Sequence, residues 1–109
     1  MTVQMLTEKA NITALALPSP EREINGVYIG DLLSWVMGRA EQDNAWITIM
    51  SNVNVIAVAT LADVACVILA EGVLLDGEVL STAKEKGVNI LTSNLSAYEL
   101  AVLLSGDLK

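Results

Sequence analysis

The sequence predicts an α/β protein, built as three α/β/α layers around a mostly parallel central sheet. Alternation is the first observation behind this. Short apolar runs are each followed by a stretch of helical pattern: Gly26–Ile29 then Asp31–Ala40, Trp46–Met50 then Asn54–Ala62, Ala65–Ala70 then Asp76–Lys86, and Val88–Leu91 then Ser96–Leu104. A repeated βα alternation reads as a parallel sheet covered by helices. The second observation is that Ala65–Ala70 is apolar at every position, as a strand covered on both faces should be. The third is punctuation: polar caps and glycines stand at the joints of the pattern.

The elements follow in order. Thr2–Ala10 is a short amphipathic helix, with Val3, Met5, Leu6 and Ala10 apolar and Asn11 as its end. Ile12–Leu17 is a candidate strand, stopped by Pro18-Ser19-Pro20, where each proline lacks a donor and restricts its predecessor. Glu21-Arg22-Glu23 is a solvated charged run. Ile24–Ile29 is the next strand, with a bulge or local turn at Asn25-Gly26. Asp31 is the expected N-cap of the helix through Leu32, Leu33, Trp35 and Val36, and Gly38 its expected end. Trp46–Met50 has the residues of a strand. Ser51-Asn52-Val53-Asn54 offers several caps for the helix Asn54–Ala62, whose nearly continuous apolar character predicts burial on more than one side. Asp76-Gly77-Glu78 opens a helix that closes on Lys84, Lys86 and Gly87, matching the helix dipole and a left-handed stop. After the short strand Val88–Leu91, Ser96-Ala97-Tyr98-Glu99 fits a capping box.

Composition bounds the function. The chain has 109 residues, which suits a single domain over residues 1–109 with one core. It is 53% hydrophobic and only 17% charged, which argues against disorder. So much apolar sequence on so small a body predicts contact with another chain, most simply in a homo-oligomer such as a dimer. The net charge of −7, with Lys84 and Lys86 the only bases close together, disfavours nucleic acid, which demands a basic stripe. There is no histidine, which removes the commonest general base, the commonest transition-metal ligand and every Ser-His or Cys-His pair. The lone Cys66 sits in an apolar strand, where it reads as a buried, inert thiol in a reducing compartment. No basic segment followed by an apolar one opens the chain. The longest apolar tract, Val53 to Ala70, contains Asn54, Thr60 and Asp63 and splits at Asp63 into helix and strand. A cytoplasmic protein without membrane association is expected.

The carboxyl ends of the strands should gather Asp31, Ser51, Asn52, Asn54, Glu71, Thr92, Ser93 and Asn94 on one edge. Open parallel sheets bind ligands at that edge. Two readings stand: a shallow polar pocket for a neutral or cationic ligand, or caps that satisfy the following helices. Asp31 with Glu71 is a weak basis for a carboxylate pair or a hard-cation site, so no catalytic residue, metal or cofactor is expected. Neither G-x-x-x-x-G-K-[ST] nor a G-x-G-x-x-G following a strand is present. Trp46 is expected in the core, and Trp35 in the core or an interface.

One stretch carries a family resemblance. Gly26-Val27-Tyr28-Ile29-Gly30-Asp31-Leu32-Leu33-Ser34-Trp35-Val36-Met37, then Ala45-Trp46-Ile47-Thr48-Ile49-Met50, Ala57-Val58-Ala59, Ala65-Cys66-Val67-Ile68 and Leu95-Ser96-Ala97-Tyr98-Glu99-Leu100, resembles small bacterial DRTGG-domain proteins. The resemblance runs from about Thr2 to Leu104 and is one of overall pattern. Related domains precede the catalytic domain of HPr kinase/phosphorylase or sit within some phosphotransacetylases. The resemblance implies a three-layer α/β/α fold and a regulatory role, with a protein partner in a hydrogenase or signalling system. The Asp-Arg-Thr-Gly-Gly motif itself is missing, and the aligned place reads Met50-Ser51-Asn52-Val53-Asn54-Val55. The expectation is therefore a non-catalytic regulatory or protein-interaction module. The alternative is a metabolite- or nucleotide-sensing domain that uses the strand-end edge.

Overall fold

The computed structural model describes residues 1–107. Along the chain the elements are α1 (Val3–Thr7), β1 (Thr13–Ala16), β2 (Gly26–Ile29), α2 (Leu33–Arg39), β3 (Asn44–Thr48), α3 (Asn54–Ala62), β4 (Cys66–Leu69), α4 (Gly77–Lys86), β5 (Ile90–Thr92) and α5 (Ala97–Ser105). They form one sheet in the order β1-β5-β4-β3-β2. β2 to β5 are parallel, and β1 runs antiparallel to β5. Successive parallel strands are neighbours, so the three crossovers all step the same way. Crossovers of one hand stepping one way must put their helices on one face. α2, α3 and α4 therefore share a face, and α1 and α5 cover the other.

The strand period of two divides the core into two layers. Trp46, Val67, Leu69 and Ile90 pack with Val36 of α2, Val55, Ile56, Val58 and Ala59 of α3, and Ala83 of α4. Ala45, Ile47, Cys66, Ile68 and Leu91 pack with Val3 and Leu6 of α1 and Leu100 and Leu104 of α5. Each large side chain buried this way contributes about 1.5–3 kcal/mol. β3 and β4 are buried at every position, as covered central strands require. Trp46 is fully enclosed and its indole N–H donates to the Gly30 carbonyl at 2.8 Å.

Several boundaries differ from the sequence expectation for identifiable reasons. The third strand begins at Asn44 and ends at Thr48, before Ile49 and Met50. The Ile49 amide donates to the Asp31 carboxylate at 3.0 Å, which ends the ladder there. Asp31 is therefore not the cap of α2: the cap position is Leu32, with no side-chain bond. Gly38 lies inside α2, which ends at Arg39. α3 is buried on one side only, since Ala57, Thr60 and Leu61 stay exposed. The last strand starts at Ile90; just before it the Asn89 carbonyl accepts the Val67 amide at 2.9 Å, while the Asn89 side chain is committed elsewhere. Its buried amide donates to the carbonyls of Ser19 and Ala65 and accepts from the Ser19 N–H, pinning the proline segment to the sheet.

Candidate functional site

The site is built by where two loops diverge. β4 leads to α4 on one face, and β5 leads to α5 on the other. That divergence is a topological switch point, where the carboxyl ends of an open sheet part to leave a crevice. After β4 the chain turns through Glu71 at φ 60° and Gly72 at φ 73°, both left-handed. The turn sends the Glu71 amide to the Leu95 carbonyl at 2.9 Å and the Gly72 amide to the Ser93 carbonyl at 2.8 Å. Thr92 Oγ1 donates back to the Val73 carbonyl at 2.7 Å, and the Ser93 amide donates to Leu69 at 2.9 Å. Ser93 Oγ accepts the Leu95 amide at 3.1 Å. The two loops are thereby laced into one rigid wall. Gly72 is required on two counts: its backbone is left-handed, and an added Cβ would stand 2.9 Å from Asn94 Oδ1.

Between this wall and the start of β1 lies a cleft of about 260 Å³. Asn11, Thr13, Gly72, Leu74, Thr92 and Asn94 contribute to its lining. Its polar groups are amides and hydroxyls, with no lysine, arginine or carboxylate among them. Asn11 and Thr13 enter because β1 is antiparallel, which places Thr13 opposite Thr92 at the carboxyl end of β5. Sequence reasoning missed both. An antiparallel edge strand reverses which of its ends meets the site, and only the turn at Pro18-Ser19-Pro20 hinted at the separate path of β1.

The eight residues expected on the edge fall into three groups. Thr92, Ser93 and Asn94 share the cleft wall beside Glu71. Asp31 stands apart at the end of β2, where Oδ1 accepts the Thr48 hydroxyl at 2.7 Å and the Ile49 amide. Because β3 intervenes, the strands that Asp31 and Glu71 follow lie two spacings apart, about 10 Å. Ser51, Asn52 and Asn54 lie in the β3–α3 connection. There Asn52 Oδ1 accepts the Asn54 amide at 2.9 Å, forming a local turn that starts α3. Among the described residues, no group of three or more Asp, Glu, Cys or His is placed to hold a metal ion. No helix among them is long and apolar enough to cross a membrane.

Among the described residues, ionisation is shifted at two groups, both away from the cleft. Cys66 is buried in β4, and desolvation pushes its thiol up to about 12, against a smaller opposing pull from the Arg22 charge. For Arg22, burial lowers the value, but hydrogen bonds to Asp63 and Asp43 and their charges outweigh it. Its guanidinium bridges Asp43 at 2.9 Å and Asp63 at 2.7 Å, tying the loops at the opposite end of the sheet.

The sequence model of the DRTGG domain matches residues 6–106. This chain belongs to the DRTGG-domain family. The DRTGG fold seen here is similar to a crystal structure of the CBS and DRTGG domains of the regulatory region of Clostridium perfringens pyrophosphatase, complexed with the activator diadenosine tetraphosphate. The TM-score is 0.68 at 13% sequence identity, covering 85% of this chain and 41% of that one. The chain thus spans less than half the length of that structure. No curated protein matches it in sequence.

Proposed function

We propose that this DRTGG domain is a non-catalytic regulatory module that works through association, as a homo-oligomer in the cytoplasm and with a protein partner. The observation that carries the reading is the family match over residues 6–106, joined to a fold similar to part of a regulatory region. The site chemistry agrees with it. Asp31 spends its carboxylate on the Thr48 hydroxyl and the Ile49 amide, and β3 stands between it and Glu71.

A second reading, small-molecule sensing, is favoured by the cleft at the switch point. Its uncharged donors and acceptors suit a neutral, hydroxyl-bearing group such as a ribose. The similar regulatory region carries a nucleotide activator, which makes nucleosides and nucleotides the first panel to try.

Melting curves with that panel, followed by chromatography of the same samples, test both readings. Compounds recovered intact support a non-catalytic module. A compound consumed in large excess over protein overturns it. A compound that raises the melting temperature of the parent but not of Asn94→Ala supports sensing in the cleft. Equal stabilisation of both proteins places the ligand elsewhere.

A further inference from the structure

The two edges of the sheet are finished differently. β1 shifts register between Ala14 and Ala16 and runs into Pro18 and Pro20. β2, the opposite edge, reads Gly26-Val27-Tyr28-Ile29 and pairs with β3 in regular register at every position. It carries no charge, no proline and no bulge. Natural edge strands are ordinarily blunted by one of these, because unpaired backbone groups recruit another strand. The Gly30 amide donates to the Ile47 carbonyl at 3.2 Å. By the alternation of a parallel ladder, the amides and carbonyls of Val27 and Ile29 then face away from β3. Alongside runs a groove of about 390 Å³ lined by Val27, Tyr28, Ile29, Ala101 and Ser105. Ile29, which lines it, is 47% exposed.

We propose that β2 is the two-fold interface of a homodimer. The β2 strands of two copies pair antiparallel about Tyr28, with Val27 of one copy opposite Ile29 of the other. The sheet then runs continuously through both. This rests on the homo-oligomer reading above and assigns the surface.

Three observations select a second copy as the occupant. The first is geometry. Antiparallel pairing of a strand with itself is a two-fold operation, and this register turns the outward groups of Val27 and Ile29 onto each other. The second is charge. Each chain carries −7, so two copies meet best where neither is charged. β2 has no charged residue, and the one charge on α5, Glu99, is folded back onto the Ser96 amide. The third is area. A stable interface takes about 800 Å² from each partner, roughly one seventh of the 5580 Å² this molecule exposes. An aromatic side chain alone presents about 150–250 Å². The bare strand with Tyr28 and Ile29, and the groove wall of Ala101 and Ser105, supply the centre of such an interface.

Light scattering on the eluting protein, at micromolar concentration, tests the proposal. The parent should show twice the 11.6 kDa chain mass. Ile29→Lys places a charge in the joint, and Ile29→Pro removes an outward amide while sparing that of Gly30. Both should elute at the single-chain mass with unchanged circular dichroism. Ser105→Lys, at the groove wall on α5, lies outside every ladder, keeps the test open if a strand variant misfolds, and should weaken dimerisation at least tenfold. Leu61→Lys, on the opposite layer and 69% exposed, should leave the dimer intact. A monomeric parent overturns the oligomer reading and the proposal together. A dimer that resists the Ile29 and Ser105 substitutions overturns the β2 interface alone.

Discussion

Asp31 holds the end of β3, not the start of its own helix. One oxygen accepts both the Thr48 hydroxyl and the Ile49 amide. Hydrogen bonds to a charged acceptor contribute about 1.5–3 kcal/mol each in favourable settings, and less where water competes, as it does at this exposed position. Asp31→Ala should therefore cost about 1–2 kcal/mol by denaturant unfolding, while Asp31→Asn, which keeps an accepting oxygen, should cost clearly less. Equal losses would show that charge and not the bonding geometry matters. Cys66 gives a pH-dependent prediction. Its thiol ionises near 9.0 when solvated and is held protonated to about 12 in the fold. Between those values the folded state binds more protons than the unfolded one, so stability falls as pH rises through that window. Cys66→Ala should flatten this alkaline decline in melting temperature. A decline of the same slope in the variant would rule the thiol out as its source. Both residues were legible in type from the sequence. Only Cys66 was legible in role, because an apolar strand dictates burial, whereas an aspartate after a strand can cap its own helix or reach across to the next strand.

At the scale of elements, glycines and caps test the assignments. Gly38 is an interior residue of α2 with open space around it. Gly38→Ala should stabilise by about 0.5–1 kcal/mol, since alanine loses less freedom in a helix. Gly87 caps α4 at φ 73°, so Gly87→Ala should destabilise by about 1–2 kcal/mol. Opposite signs from the same substitution, read in thermal or urea unfolding, are the expected outcome; a gain at both would contradict the left-handed cap. The capping box at Ser96 has both of its bonds, and Ser96→Ala should cost about 1 kcal/mol. Asn54 makes no side-chain bond to α3, so Asn54→Ala should be nearly neutral, with Asn52→Ala the costlier of the two. The βα alternation was readable because a covered strand must be apolar throughout and a helix must carry a stripe. The ends were less so. Asp31 shifts the end of β3 by bonding to backbone on the neighbouring strand, which local pattern does not encode.

At the scale of the molecule, three layers and a parallel sheet follow from alternation, but the position of β1 does not. Its antiparallel pairing with β5 brings Asn11 and Thr13 to the cleft and makes β1, with its register shift, one edge of the sheet and the regular β2 the other. Part of the apolar excess noted in the sequence lies there, in Val27, Tyr28 and Ile29. A module that acts by association through this edge makes a direct claim about two backbone amides. Hydrogen exchange of Val27 and Ile29, followed by NMR before and after strong dilution, measures it. Protection of both amides that disappears on dilution, while β4 amides stay protected, is the outcome that association through β2 predicts. Rapid exchange at Val27 and Ile29 at every concentration would contradict it.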